Sequence, residues 1–185
     1  MRSAAGTGEA TRPVWDLGVR VGHWALVASV ALAWITYQGG AWHEGIGYFS
    51  LLVVIFRVAW GRLGPRYARF AQFVRSPAAT LRYAQQVITH REARYLGHNP
   101  LGACMVLALL ATVGLTGLTG WLYTTNAFWG DERVVNLHLA LAILVLVLAA
   151  LHVAGVVMTS LSHRENLVAA MIHGRKRAPA DDDIS

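Results

Sequence analysis

The chain has 185 residues, of which 55% are hydrophobic and 14% are charged, and its formal net charge is +6. This composition is too apolar for an ordinary soluble domain of this length and indicates a protein embedded in a lipid bilayer. The single cysteine, Cys104, excludes an intrachain disulfide, a Cys-x-x-Cys metal site and a Cys-x-x-Cys-His attachment motif.

Residues 1–13 are mostly small or polar and lack an apolar stretch followed by a cleavage site, so they predict a cytoplasmic tail rather than a signal peptide. The next part of the chain, residues 14–177, predicts an all-α integral membrane four-helix bundle, because lipid cannot satisfy an open backbone. The four predicted membrane helices lie near residues 20–42, 44–61, 99–123 and 134–161. Residues 178–185 include three consecutive aspartates and predict a disordered acidic tail.

The basic charge is concentrated at one side of the predicted helices. The connection 62–98 contains seven arginines, whereas the turn 38–45 has no Arg or Lys and the turn 124–135 has only Arg133. This positive-inside bias places both termini and the connection in the cytoplasm, and it accounts for the basic charge without a nucleic-acid partner. Short amphipathic segments at 70–73 and 80–87 predict helices along the cytoplasmic membrane surface, with a flexible basic linker as the alternative.

Four histidines lie within the predicted helices, at two depths: His23, His43, His138 and His152. His138 and His152 are 14 residues apart on helix four, which is roughly 21 Å along its axis and within about 40° of one face. His23 and His43 are 20 residues apart, roughly 30 Å if they flank helix one, so they cannot bind the same metal. Depth therefore pairs His43 with His138 and His23 with His152.

Facing imidazoles in a helical bundle are typical haem ligands, so the pattern predicts two non-covalent haem groups, each held by two histidines. Two imidazoles leave no open position on the iron, which favours electron transfer. A different metal site or a proton relay is the alternative. Arg57 and Arg20 are expected to pair with haem propionates, or else to extend to lipid phosphate. His98, followed by Asn99 and Pro100, reads as part of a helix start rather than as a ligand.

Several motifs resemble the prokaryotic cytochrome b561 family, which includes b-type cytochrome subunits of nickel-iron hydrogenases and related formate dehydrogenase subunits. The motifs are Val14-Trp15-Asp16, Arg20-Val21-Gly22-His23-Trp24, Phe56-Arg57-Val58-Ala59-Trp60, Gly97-His98-Asn99-Pro100-Leu101-Gly102, and the pair His138 and His152. The resemblance implies four helices, two bis-His haems b with the four histidines as ligands, and exchange with the quinone pool. The chain departs from the family around Asn136-Leu137-His138-Leu139, where aromatic and charged neighbours are common in other members.

The preferred function is electron transfer in the bacterial inner membrane between ubiquinone or menaquinone and a redox partner such as a cytochrome c, a hydrogenase or another redox subunit. The chain is then an electron carrier or the cytochrome subunit of an oxidoreductase complex, with no catalytic residue of its own. One alternative is a stand-alone superoxide or quinol oxidoreductase acting at a haem edge, for which Glu44 is the acidic residue beside a ligand. Another is a haem-free transport component. A homodimer is compatible with each.

Overall fold

The computed structural model describes residues 10–180, 183 and 184. Residues 1–9 of the predicted N-terminal tail, and Asp181, Asp182 and Ser185 of the predicted acidic tail, lie outside the described residues. The described helices are α1 Leu17–Ile35, α2 Ala41–Leu63, α3 Phe70–Phe73, α4 Pro77–Ile88, α5 Pro100–Tyr123, α6 Glu132–Ser162 and α7 Leu167–His173. Of these, α1, α2, α5 and α6 are long and apolar enough to cross a membrane, which confirms the predicted all-α membrane bundle.

Three of the four long helices begin at a side chain that caps the first turn. The Asp16 carboxylate accepts a hydrogen bond from the Val19 amide at 3.2 Å, and Asp131 accepts one from the Arg133 amide at 2.8 Å. Asn99 accepts from the amide of Gly102 at 2.7 Å, with Pro100 in the first turn of α5. These caps satisfy amides that have no partner within the helix, and the helix start predicted at Asn99 is confirmed.

Helix α1 is shorter than the sequence predicted. It ends at Ile35 and not near residue 42, because Gly39 and Gly40 adopt φ angles of +91° and +86° and turn the chain back. Glycine adopts these angles without the steric cost that a side chain imposes. The run of uncharged residues continues through this turn, so the sequence did not show where α1 ends. Because of the turn, His43 lies in the first turn of α2.

The four long helices pack in chain order, α1 on α2, α2 on α5, and α5 on α6. Val54, Leu110, Val113 and Val145 form the core between them. Val145 is the only buried residue of α6, so most of this helix faces lipid or the gap between α6 and α1. We call the end of the bundle with the 36–40 and 124–131 turns the turn end, and the opposite end the termini end.

The connection between α2 and α5 is folded against the termini end. It contains a 3-10 turn at Arg66–Ala68 followed by α3 and α4. Phe73, Tyr83 and Leu96 are 1%, 4% and 0% exposed, so side chains along this connection belong to the core. This burial agrees with short surface helices and differs from the alternative of a flexible basic linker.

The two ends of the chain are joined at the termini end. Strand β1, Thr11–Pro13, pairs antiparallel with β2, Arg175–Arg177. The amides of Val14 and Trp15 donate to the Gly174 carbonyl at 2.9 and 3.1 Å. The strand pair closes a cap formed by α3, α4 and α7.

A buried ion cluster lies within this cap. Arg94 pairs with Glu165 at 2.7 Å and also with Asp183, while Lys176 lies 3.4 Å from Glu165. Burial alone would raise the pKa of Glu165, but the hydrogen bond from Arg94 and the charge of Lys176 outweigh it and lower that pKa. Within the predicted acidic tail, Asp183 thus pairs with Arg94, and the Ile184 amide donates to the Arg94 carbonyl at 2.9 Å.

Replacing Glu165 by Gln should loosen the cap, because Arg94 and Lys176 lose their shared counter-charge while remaining buried. We expect a cost of about 2–3 kcal/mol for local opening. Hydrogen exchange in β1 and β2 should therefore accelerate by roughly 30-fold or more. The matched control is Glu132→Gln, an exposed carboxylate at the turn end. Equal protection in both variants would show that the cluster does not hold the cap.

The same cluster predicts a pH dependence. Because the pKa values of Glu165 and Asp183 are lowered in the folded state, their contribution is present above the ordinary carboxylate value of about 4 and is lost as the pH falls through the lower folded values. Exchange protection of β1 and β2, corrected for intrinsic exchange, should decrease over that range. The Glu165→Gln variant should lose less protection than the wild type.

Candidate functional site

The structure brings the four helical histidines together as two facing pairs. The ring centres of His23 and His152 are 6.2 Å apart, with the ring planes at 57°. Those of His43 and His138 are 6.1 Å apart, with the planes at 75°. These are the two pairs that helix depth had suggested. One pair lies toward each end of the bundle.

Helix α6 sets the spacing between the pairs, because His138 and His152 lie 14 residues apart on it, or roughly 21 Å. The expected separation of about 30 Å between His23 and His43 is wrong, since it assumed that helix one continued to residue 42. His43 instead bonds back to the Ala33 carbonyl, which is ten residues beyond His23 or roughly 15 Å along α1. The glycine turn thus returns His43 to the depth of His138.

Backbone carbonyls fix the tautomers of the pair at the turn end. The His43 Nδ1 atom is 3.2 Å from the Ala33 carbonyl oxygen, and the His138 Nδ1 atom is 3.0 Å from the Thr116 carbonyl oxygen. A carbonyl can only accept, so each Nδ1 carries the proton and donates it. In a neutral imidazole held this way, the Nε2 atom is the nitrogen that can bind a metal.

Helix α5 supports His138 from one side. The Thr119 hydroxyl lies 3.2 Å from the His138 Nδ1 atom. The ring packs against Gly120 so closely that a Cβ atom built there would meet His138 Cε1 at 3.1 Å. The small residue therefore permits the approach of the ring to the helix backbone.

Each pair offers two imidazoles that could bind a metal. Among residues 10–180, 183 and 184, no group of three or more His, Cys, Asp or Glu side chains is placed to hold a metal ion. A bare structural or catalytic metal site takes at least three protein ligands. A haem iron instead receives four nitrogens from its own macrocycle and accepts the remaining two from the protein.

The distances between the rings also fit this cofactor. An imidazole nitrogen lies about 2 Å from a bound first-row metal, and the ring centre lies a little over 1 Å behind it, so two axial rings have centres about 6 Å apart. The observed separations are 6.1 and 6.2 Å. Helices α1 and α6 are not closely packed against each other, although they carry His23 and His152. The donor set and the helix spacing therefore fit a haem at each pair.

The two arginines expected near a haem both lie at the termini end. Arg57 is 6% exposed, donates to the Ala68 carbonyl at 3.2 Å, and stacks over the Phe70 ring with 5.1 Å to its centre. It therefore does not extend to lipid phosphate. Arg20 donates through Nη2 to the Ile172 carbonyl in α7. Its Nε atom is buried without a hydrogen-bond partner among the described residues.

Sequence reasoning treated His98 only as part of a helix start, yet the structure places it inside the cap. Its ring lies 4.7 Å from that of Trp15 and 4.6 Å from that of Phe73. Burial, assisted by the charge of Arg57, lowers the pKa of His98 to about 3, so the ring is neutral at pH 7. Its buried Nδ1 atom has no hydrogen-bond partner in the described part of the chain. The feature of the sequence that pointed to His98 was the motif Gly97-His98-Asn99-Pro100.

Asp16 has a second role besides capping α1. It accepts a hydrogen bond from the Trp60 indole at 2.9 Å and so joins the start of α1 to the end of α2. Its other carboxylate oxygen is buried without a partner among the described residues. This contact could not be inferred from the sequence, because the two residues are 44 positions apart.

Comparisons with known proteins give a family but no individual relative. No curated protein and no solved structure matches the chain. The model of the family described as prokaryotic cytochrome b561 matches residues 14–174, which include all four membrane helices and both histidine pairs. The chain therefore belongs to the prokaryotic cytochrome b561 family, and as a member it is a membrane cytochrome that binds haem b and takes part in electron transfer.

Proposed function

We propose that this chain is a di-haem cytochrome b that transfers electrons between the quinone pool and a redox partner across the bacterial inner membrane. The main support for this function is the presence of two facing histidine pairs, with ring centres 6.1 and 6.2 Å apart, at different depths of one bundle. In this proposal His23 and His152 hold one haem b, and His43 and His138 hold the other. The haems would be held without a covalent link, because a chain with one cysteine has no Cys-x-x-Cys-His attachment motif.

Bound haem supplies a one-electron couple at each pair. The protein contributes two imidazoles per site, which leave no ligand position for oxygen or a substrate. The Nδ1–H group of His138 also donates a hydrogen bond to the Thr116 carbonyl, which makes the imidazole a more basic ligand. Such sites favour outer-sphere electron transfer over chemistry on the metal.

Arg20, one helical turn before His23, and Arg57 supply positive charge at the termini end, where the His23 and His152 pair also lies. A haem has two carboxylates, and a guanidinium pairs well with a carboxylate. The Nε atom of Arg20 is buried without a partner among the described residues, so it retains a donor for such a group. We therefore assign both arginines to haem binding at the termini end.

We propose that the termini end faces the cytoplasm, because the 62–98 connection has seven arginines and the opposite turns have one. Quinone, either ubiquinone or menaquinone, reaches the protein through the lipid. The short turns give the chain little surface of its own at the turn end, where a cytochrome c, a hydrogenase or another redox subunit would dock.

The chain as a stand-alone superoxide or quinol oxidoreductase is not favoured. Such an enzyme needs a titratable residue in a polar cavity beside a haem. Glu44, which follows His43, is exposed, and the nearby cavity that includes Trp42 and Gly45 is lined almost entirely by apolar side chains. These residues therefore favour an electron carrier over an enzyme that acts at a haem edge.

The histidine pairing provides the main test. Acid-acetone extraction of the purified protein should release two haems per chain. Replacing His43 or His138 by Ala should deplete the same component of the reduced-minus-oxidised spectrum, because each change removes a ligand from one iron. Replacing His23 or His152 should deplete the other component.

Where an alanine variant loses both haems through coupled folding, added imidazole should restore the two components in every variant. A stoichiometry of one, haem retained by the polypeptide, or a shared loss in His23→Ala and His138→Ala alone would contradict the pairing.

A second prediction concerns Gly120. In Gly120→Ala the new methyl group meets the His138 ring at 3.1 Å and must displace it by a few tenths of an ångström. We expect a shift in the spectrum and midpoint potential of the component that His43→Ala depletes. The matched control is Gly114→Ala in the same helix, where the nearest atom, on Val54, lies 3.5 Å away in ordinary contact. Equal effects in both variants would argue against the assignment.

The orientation is tested with fusion reporters. A reporter placed after Arg177 should behave as cytoplasmic, and one inserted at 126–131 should behave as periplasmic, because of the arginine distribution. The measurement is paired alkaline phosphatase and green fluorescent protein activity. The opposite result would invert which histidine pair lies near the cytoplasm.

A further inference from the structure

Helix α4 is held at the level where α5 enters the apolar layer. Tyr83 is 4% exposed, and its ring packs edge-on against that of Tyr95 with 5.5 Å between the centres. Its hydroxyl faces the side chain of Asn99, the residue that caps α5. Because α5 spans the membrane from Pro100, these contacts place α4 at the boundary between the hydrocarbon and the headgroups.

The bundle covers only part of the apolar face of α4. Thr80, Tyr83 and Val87 face inward at helical spacing, and they are buried or half-buried. Leu81 and Ile88 are 62% and 79% exposed, although their seven-residue spacing puts them within roughly 20° of each other and roughly 100° from the covered direction. They extend the covered face outward, as in helices that lie in a membrane surface.

The remaining arc of α4 is polar and basic. Arg82 is exposed, as are Gln85 and Gln86 on the same side, and the segment 62–98 contains a single acidic residue, Glu92, against seven arginines. Arg94 uses the carboxylates of the ion cluster within the cap. The exposed arginines of the segment that have no salt bridge to a carboxylate of the described residues are Arg62, Arg66, Arg69, Arg75, Arg82 and Arg91.

We propose that α4 and its flanking arginines bind the headgroups of anionic phospholipids, with phosphatidylglycerol as the representative ligand. Leu81 and Ile88 enter the acyl-chain region, while Arg75 and Arg82 donate to lipid phosphate. The depth of α4 favours lipid over an acidic protein, because the helix lies at the level where α5 enters the apolar layer and Leu81 and Ile88 can reach the acyl chains there. This inference is independent of the proposed electron transfer, since none of these residues touches a histidine pair.

The first experiment measures lipid preference by native mass spectrometry of the haem-loaded protein in detergent. The probes are phosphatidylglycerol and phosphatidylcholine. Wild type should prefer phosphatidylglycerol, and Arg75→Gln/Arg82→Gln should reduce that preference by roughly tenfold or more. The matched control is Arg133→Gln, an exposed arginine at the turn end, which should retain it. An unchanged visible spectrum verifies the fold of each variant, and equal preference in wild type and double variant would overturn the proposal.

The second experiment measures depth in nanodiscs that contain phosphatidylglycerol. Because Cys104 is free and exposed, the background is Cys104→Ser. A fluorophore on Leu81→Cys should be quenched by spin labels on the acyl chains, whereas one on Gln86→Cys, which lies roughly 140° away around α4, should respond to a water-soluble quencher. A Leu81 label that is open to the aqueous quencher, or that is shielded only when a second protein or a second copy of the chain binds, would also overturn the proposal.

Discussion

The structure depends on one constraint, which is that two imidazoles from different helices must meet at the same depth in a layer that offers no water. Helix α6 fixes the two depths, because His138 and His152 lie 14 residues apart on one of its sides. The partners come from α1 and α2, and they reach those depths only because α1 ends at Ile35 and the glycine turn brings His43 back beside Ala33. Helix α6 can therefore pack on α5, which supports His138, while its two histidines meet partners from α1 and α2.

The support given by α5 shows how a polar group is accommodated in that layer. The Thr116 and Thr119 hydroxyls donate to carbonyls one turn earlier, at 2.8 and 3.0 Å, and so satisfy themselves within the helix. A carbonyl oxygen has two lone pairs, so that of Thr116 can accept from the helix and from His138 together. Gly120 removes the side chain that would keep the ring away. Small and self-satisfied residues thus allow one polar contact without leaving another group unpaired.

Helical periodicity was sufficient to predict the four spans and the separation of His138 and His152 on one face of α6, since both follow from rise and rotation per residue. It could not show the end of α1, because an apolar run looks the same in a helix and in a turn outside it. It also could not show the ion cluster of Arg94 with Glu165 and Asp183, whose members are 71 and 89 residues apart. A run of aspartates is typical of a solvated tail, and the pairing of Asp183 depends on an arginine that only the fold brings close to it.

The two ends of the bundle satisfy their polar groups to different degrees. At the turn end, His43 and His138 both donate to carbonyls. At the termini end, four buried side-chain atoms have no hydrogen-bond partner among the described residues: Asp16 Oδ2, Arg20 Nε, Gln72 Oε1 and His98 Nδ1. An unpaired buried group costs about 1–3 kcal/mol, so we expect these atoms to meet water or a ligand. Donors such as Arg20 beside the His23 and His152 pair suit a ligand that carries carboxylates, which is why the polar cap and the proposed haem are best understood as one unit.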